Sequence, residues 1–353
     1  MSMWYHENHK ISDDKEMERS TIYMKPISTT NEISQIYTFT LGGMPQKVLI
    51  EGKSKELPVI INLHGGPGNP IPFSVGCRGL FPEFTDVFIM VYWDQLGSGI
   101  NDYKLKDEFT VDSFVDMTAD LICEVKKLFP ANKLILFGMS WGSVLALRVL
   151  KKLEYRSVDK QMTVSVDAVV VWGQVLRNLF LNEEVFASLE KAGLSEKKMQ
   201  RIRAITPNNF TDKDMQFLSG AIRKYTDGYN NKKGEQAPMG PIIKGLLKSP
   251  DYKFKDFKAI MINGTATSTK LWPELLKLDL TEELKAVTVP YHILQGDTDI
   301  VTSTTDIVKV VDMLDNPNAR CRVVPNSGHM PGKEGMDAVF ETLKYTCGAY
   351  VKK

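Results

Sequence analysis

Five residues, Gly138-Met139-Ser140-Trp141-Gly142, carry the pattern G-x-S-x-G. A serine hydroxyl is a weak nucleophile near neutral pH, so catalysis through it needs a histidine base and a carboxylate that orients the base. Three fixed letters recur by chance, but the setting here is restrictive. The apolar run "KLILFGMS" leads into the motif and the helical pattern "WGSVLALRVL" leads out of it. Strand, sharp turn and helix are the surroundings in which a nucleophilic serine is held at an unfavourable backbone geometry with its hydroxyl exposed. A side chain at Gly138 or Gly142 would crowd the neighbouring helix and strand. The competing reading is a strand-to-helix turn in which Ser140 only caps the helix.

Five histidines are candidates for the base. His6 and His9 lie in a polar N-terminal stretch, His64 belongs to a glycine-rich segment, and His292 sits inside a strand pattern. His329, in "VVPNSGHMPG", follows the last strand pattern, and loops at the carboxyl edge of a parallel sheet are where such sheets place ligand chemistry. For the acid, "HILQGDTDIV" places Asp297 and Asp299 in the loop after the preceding strand. Asp299 is the expected partner of His329, because Asp297 follows the strand so closely that it suits a strand end or turn cap.

The segment "VIINLHGGPGNP" allows three readings: a strand-ending turn, a phosphate loop, or backbone N–H groups aimed at a reacting oxygen. A P-loop needs Lys and then Ser or Thr after its last glycine, where this chain has Asn69-Pro70. An oxyanion hole needs an N–H from the residue after the nucleophile, here Trp141, and one from this loop, most simply Gly66. Glycine lets the backbone approach a substrate closely, and Pro67 stiffens the loop without adding a donor.

The elements that must position these residues are legible as periodicity. "IYTFTLGG" and "QKVLIEG" suit a hairpin, after which "PVIINLHGG", "DVFIMVYWDQ", "KLILFGMS" and "VDAVVVWG" are short apolar runs typical of strands buried on both faces. Between them, "TVDSFVDMTADLICEVKKLF" has apolar residues at helical spacing with Thr110 or Asp112 as cap. The alternation predicts an α/β fold, a mostly parallel sheet flanked by helices. It stops after Gly173 and resumes near Pro290 with "YHILQG", "STTDIVKVVDML" and "RCRVVP". The expected organisation is a core of residues 1–173 and 286–353 interrupted by a helical insertion, 174–285.

A formal net charge of +1 over 353 residues gives no reason to expect nucleic acid or an acidic membrane surface as partner. Four scattered cysteines without a C-x-x-C pair fit a reducing compartment. The polar start "MSMWYHENHK" lacks the apolar core of a secretory signal, no run approaches a membrane span, and a cytoplasmic protein is expected. There is no H-E-x-x-H and no Cys/His cluster, so no metal is expected, and the chemistry above needs no cofactor.

Taken together, HGGPG at His64 to Gly68, "YWDQLGSG" at Tyr92 to Gly99, G-x-S-W-G-S, G-x-x-D and S-G-H resemble the proline iminopeptidase branch of the α/β-hydrolase fold. The chain order Ser140, Asp299, His329 is also the order of that fold. The resemblance implies a serine aminopeptidase with Ser140, Asp299 and His329 as triad and Gly66 and Trp141 as oxyanion donors. It also implies that the helical insertion is a lid over the pocket. His64, Gly65, Pro67, Gly68, Asp94 and Gln95 would support the oxyanion loop. Two departures stand out. The arginine that usually follows Asp-Gln is Leu96 here. In the peptidases, lid carboxylates bind the substrate's free amino terminus; Glu183, Glu184 and Glu190 lie in the insertion without a matching motif. The expected partner is a small-molecule or short-peptide substrate: an N-terminal Pro or Ala peptide for an aminopeptidase, or a small acyl ester or amide for a carboxylesterase. A ligand-binding protein that keeps the fold without turnover is the reading from outside enzymology.

Overall fold

The computed structural model describes residues 32–70, 82–105, 108–160, 164–230, 253–260 and 271–348. His6, His9 and Cys77 lie outside that range. The strands, in chain order, are β1 (Ile33–Leu41), β2 (Met44–Gly52), β3 (Val59–Leu63), β4 (Ile89–Tyr92), β5 (Leu134–Met139), β6 (Ala168–Trp172), β7 (Tyr291–Gly296) and β8 (Ala319–Val324). They form one sheet ordered β1-β2-β4-β3-β5-β6-β7-β8. The hairpin β1-β2 turns at Gly42 and Gly43, both at positive φ, and β2 pairs antiparallel with β4; every later pairing is parallel.

Every residue of β3, β5 and β6 is buried, because helices cover both faces of the sheet. Alternation along each strand divides the core. Val59, Ile61 and Leu63 pack with Val111, Phe114, Leu121 and Val144 on one face, while Ile60, Ile135, Phe137 and Val170 pack with Phe84, Val339 and Leu343 on the other. The helical pattern after Thr110 is helix Val111–Leu128, with the Thr110 side chain accepting from the Ser113 N–H in a reciprocal capping box.

The order β4-β3-β5 means that the chain leaves β3 to one side for β4 and returns on the other side for β5. The carboxyl ends of β3 and β5 therefore flank a topological switch point, the crevice where open α/β sheets bind ligands. Both the glycine-rich loop and Ser140 emerge there.

Between β6 and β7 the described elements are helical: Glu183–Lys191, Glu196–Arg203, Asp212–Tyr225, Phe254–Lys258 and Thr281–Lys285, with residues 271–275 also helical. The two ends of this stretch meet where the Leu280 N–H donates to the Leu176 carbonyl at 3.0 Å and Arg177 bridges to Asp279. Arg177 also forks onto both oxygens of Asp306, at 2.8 and 2.7 Å. This planar pair ties the neck of the insertion to helix Thr304–Leu314.

Candidate active site

Ser140 is the last residue before helix Trp141–Lys160 and has φ 50°, the left-handed region that a non-glycine residue seldom occupies. The turn is closed on three sides. The Ser140 N–H donates to the Trp172 carbonyl at 2.9 Å, and the Ser140 carbonyl accepts from the Ser143 N–H at 2.7 Å and the Ser143 hydroxyl at 2.6 Å. A Cβ at Gly138 would lie 2.6 Å from the Gly142 carbonyl oxygen, and one at Gly142 would overlap the Leu63 carbonyl. The two glycines let β3, β5 and the helix converge on the turn, and that convergence holds Ser140 in its strained conformation.

His329 Nε2 lies 3.0 Å from Ser140 Oγ, and His329 Nδ1 lies 2.9 Å from Asp299 Oδ2. A proton on Nδ1 shared with the carboxylate leaves Nε2 free to accept from the serine hydroxyl. Asp299 is itself held. Its Oδ1 accepts from the Val301 and Thr302 N–H groups at 2.8 and 3.1 Å, and its Oδ2 accepts from the Thr302 hydroxyl at 2.7 Å. Asp297, the other carboxylate in the loop, instead accepts from the Asn326 and Ser327 N–H groups at 3.1 and 3.0 Å. It fastens the loop that carries His329 without touching the imidazole.

Several supporting residues carried no motif in the sequence. Trp172 donates its indole N–H to the His329 carbonyl at 2.8 Å. Gly173, at φ 63°, ends β6 beneath the imidazole, and a Cβ there would lie 3.2 Å from His329 Cε1 and 3.6 Å from Asp299 Oδ2. A glycine directly after an apolar strand at the carboxyl edge was the available signal. Thr302 had none, since a threonine three residues beyond an aspartate is unremarkable in a sequence.

The glycine-rich loop is built around a buried imidazole. His64 Nε2 accepts from the Gln95 N–H at 3.0 Å, so Nδ1 carries the proton and donates to the Gly65 carbonyl at 2.9 Å. Burial lowers the His64 pKa to about 4, which keeps the ring neutral at physiological pH. Gln95 then joins the two loops: its amide N–H donates to the His64 carbonyl at 3.2 Å and its amide oxygen accepts from the Trp141 indole at 2.7 Å. Asp94 accepts from the Ile100 N–H at 3.0 Å, and a Cβ at Gly99 would overlap its carboxylate. Gly66 has φ 117°, and a Cβ there would lie 2.7 Å from the N atoms of Gly68 and Asn69. Gly65 lies against Ser140, since a Cβ there would be 3.5 Å from the Ser140 Cβ. The loop doubles back so that the Asn69 N–H donates to the Gly65 carbonyl at 3.2 Å, with Pro67 and Gly68 at its tip. Leu96 is buried in the apolar core, so an aliphatic side chain fills its position.

Among the described residues, Glu183, Glu184 and Glu190 make no hydrogen bond to this network. Glu183 and Glu184 occupy the first turn of helix Glu183–Lys191, where carboxylates complement the N-terminal end of the helix dipole. Glu190 pairs with Arg203 at 3.1 Å on the surface. His292 lies on β7, its ring edge-on to Tyr345. Among the described residues no group of three or more His, Cys, Asp or Glu side chains is placed to hold a metal ion, and no helix is long and apolar enough to cross a membrane.

A doubly flanked sheet with Ser140, Asp299 and His329 on loops at the carboxyl ends of β5, β7 and β8 defines a class. Residues 58–335 match the model of the alpha/beta hydrolase fold family, and the chain belongs to that family. The chain is 25% identical over 327 residues, 90% of this chain and 97% of the other, to "Probable aminopeptidase YbaC" of Bacillus subtilis. It is also 25% identical to a proline iminopeptidase of Thermoplasma volcanium, over 70% of this chain and 75% of the other. Among solved structures, that of VinJ superimposes with a TM-score of 0.62 at 20% identity, covering 90% of this chain and all of VinJ, a likeness of fold.

Proposed function

We propose that the protein is a serine hydrolase that works through an acyl-enzyme, and that its substrates are short peptides from which it removes the N-terminal residue. The observation that carries the hydrolase reading is the line Ser140 Oγ, His329, Asp299, with contacts of 3.0 and 2.9 Å and the serine held at φ 50°. His329 Nε2 takes the hydroxyl proton as Ser140 Oγ attacks the carbonyl carbon. Asp299 keeps the imidazole in the required tautomer and stabilises its charged form. The N–H groups of Gly66 and Trp141 receive the developing oxyanion. His329 then gives the proton to the leaving amine, and a water attacks the acyl-enzyme with the same residue as base.

The peptidase reading rests on the relatives named aminopeptidase and proline iminopeptidase and on HGGPG with the Asp-Gln segment. In this reading residues 174–285 form a lid domain on the core, and substrate amine recognition belongs to the lid. One observation favours a second reading, an esterase or amidase for small acyl substrates: Glu190, one of the lid glutamates, is engaged by Arg203. Three described cysteines, Cys123, Cys321 and Cys347, are free thiols, which suits the cytoplasm.

A substrate panel tests the peptidase claim. Prolyl and alanyl arylamides are expected to be cleaved, the N-acetylated forms are not, and short p-nitrophenyl esters serve as the contrast. Cleavage of esters with no turnover of the free-amine arylamides would replace the peptidase by the esterase.

A further inference from the structure

The histidine loop is held by the insertion as well as by the core. The His329 N–H donates to the Gly228 carbonyl at 3.1 Å and the Met330 N–H donates to the Tyr229 carbonyl at 2.8 Å. One residue earlier, the Asp227 carbonyl accepts from the Thr298 hydroxyl at 3.0 Å, and that hydroxyl also bonds the Ser327 carbonyl at 3.0 Å. Residues 227–229 thus run beside both loops that supply the acid and the base. The Tyr229 ring then closes on the imidazole, with centroids 5.7 Å apart, and the Arg223 guanidinium carbon lies 4.2 Å from the centre of the same ring. Arg223 belongs to the last turn of helix Asp212–Tyr225, so the ring joins that helix to His329.

Gly228 makes the approach possible. It is buried, its N–H is held by the Thr226 hydroxyl at 3.2 Å, and a Cβ there would strike Ile300 Cγ1 and lie 3.2 Å from the Thr298 carbonyl oxygen. A side chain there must displace either Ile300 or residues 227–229, which pack against the Asp299 loop and hydrogen-bond the His329 loop.

We propose that Gly228 and Tyr229 are positioning residues for His329, so that the insertion sets the geometry of the base. The proposal rests on the reading of His329 as the base of Ser140. It makes a division of labour: the core fixes Asp299 and Ser140, and the insertion completes the alignment of the imidazole between them. A displacement of the reacting groups by about 1 Å can cost on the order of 100-fold in rate. The three backbone and hydroxyl contacts to residues 227–229 act on the loop over that length scale.

The test is the rate of Ser140 labelling by a fluorophosphonate in the full chain, resolved into the saturating rate constant and the half-saturating concentration. Gly228→Ala is expected to lower the saturating constant about 10- to 100-fold while the half-saturating concentration stays within about 2-fold. Adding Ile300→Ala, which removes the atoms the new methyl would strike, restores most of that loss. Tyr229→Phe keeps the wild-type rate and Tyr229→Ala lowers it several-fold, a pair that leaves the backbone bonds in place and serves even if Gly228→Ala does not fold. A wild-type labelling constant in Tyr229→Ala, and in Gly228→Ala where that variant folds, with wild-type protein itself reacting, would overturn the positioning role alone. Failure of the wild-type protein to label would remove the hydrolase reading and this inference with it.

Discussion

Two aspartates separated by one residue have different work, and their hydrogen bonds state the difference. Asp299 meets the imidazole, whereas Asp297 meets only backbone N–H groups of the histidine loop. Asp299→Asn is expected to lower kcat by roughly 10⁴-fold through the wrong histidine tautomer. Asp297→Asn, which keeps one acceptor, is expected to cost less than about tenfold. Steady-state rates on the best substrate of the panel measure both, and equal losses would reverse the assignment. His64 carries a second residue-scale prediction. Burial takes its pKa from 6.5 in the open chain to about 4 in the fold, so between these values the unfolded chain binds the proton and the native protein does not. Stability therefore rises with pH across that window and is fully present above it; the contribution lost on acidification is about 3 kcal/mol. Burial lowers the His292 pKa as well, in the same sense. Urea denaturation at pH 7 and pH 4.5 measures the fall, and His64→Gln should flatten part of it.

At the scale of elements, the strands and the long helices were legible because burial imposes short periods on the sequence. β3, β5 and β6 are continuous apolar runs because both faces are covered, and Val111–Leu128 announces itself by its stripe and by Thr110. Thr110→Ala removes the acceptor of the Ser113 N–H and is expected to cost about 1 kcal/mol in a urea melt, with activity unchanged. The turn at Ser140 was legible for a different reason: Gly138 answers to steric contacts with Gly142 and Ser143 only a few residues away, although Gly142 answers to Leu63 and His64 at the end of β3. What the sequence withheld are contacts between residues far apart in the chain. Trp172 reaches His329 across 157 positions, and the indole of Trp141 reaches Gln95 across 46. Such pairs have no period and no spacing rule, so only the folded arrangement reveals them. Thr302 was hidden by ordinariness, being one more hydroxyl in a polar loop.

Among the described residues, the sheet and its flanking helices meet the helical stretch between β6 and β7 at several separate places. Besides the neck at Leu176 and Leu280, the Glu274 carboxylate accepts from the Val111 N–H at 2.8 Å at the start of a core helix, and residues 227–229 meet the histidine loop. The insertion is therefore braced against both the helix layer and the loop that carries His329. Its surface charges are a separate matter. Glu190 lies in an exposed ion pair with Arg203, so Glu190→Gln is expected to leave KM for free-amine arylamides within about 2-fold. A tenfold rise in KM with kcat unchanged would instead assign Glu190 to binding the substrate amine.

In the proposed hydrolase, Ser140 is the nucleophile of a triad completed by His329 and Asp299. The most direct test of this assignment is to treat the folded full-length chain with a fluorophosphonate and map the adduct by peptide mass spectrometry. A single adduct on Ser140, lost in His329→Ala protein that retains its native melting transition, is the expected result. An unlabelled wild-type protein, or an adduct on another residue, would contradict it.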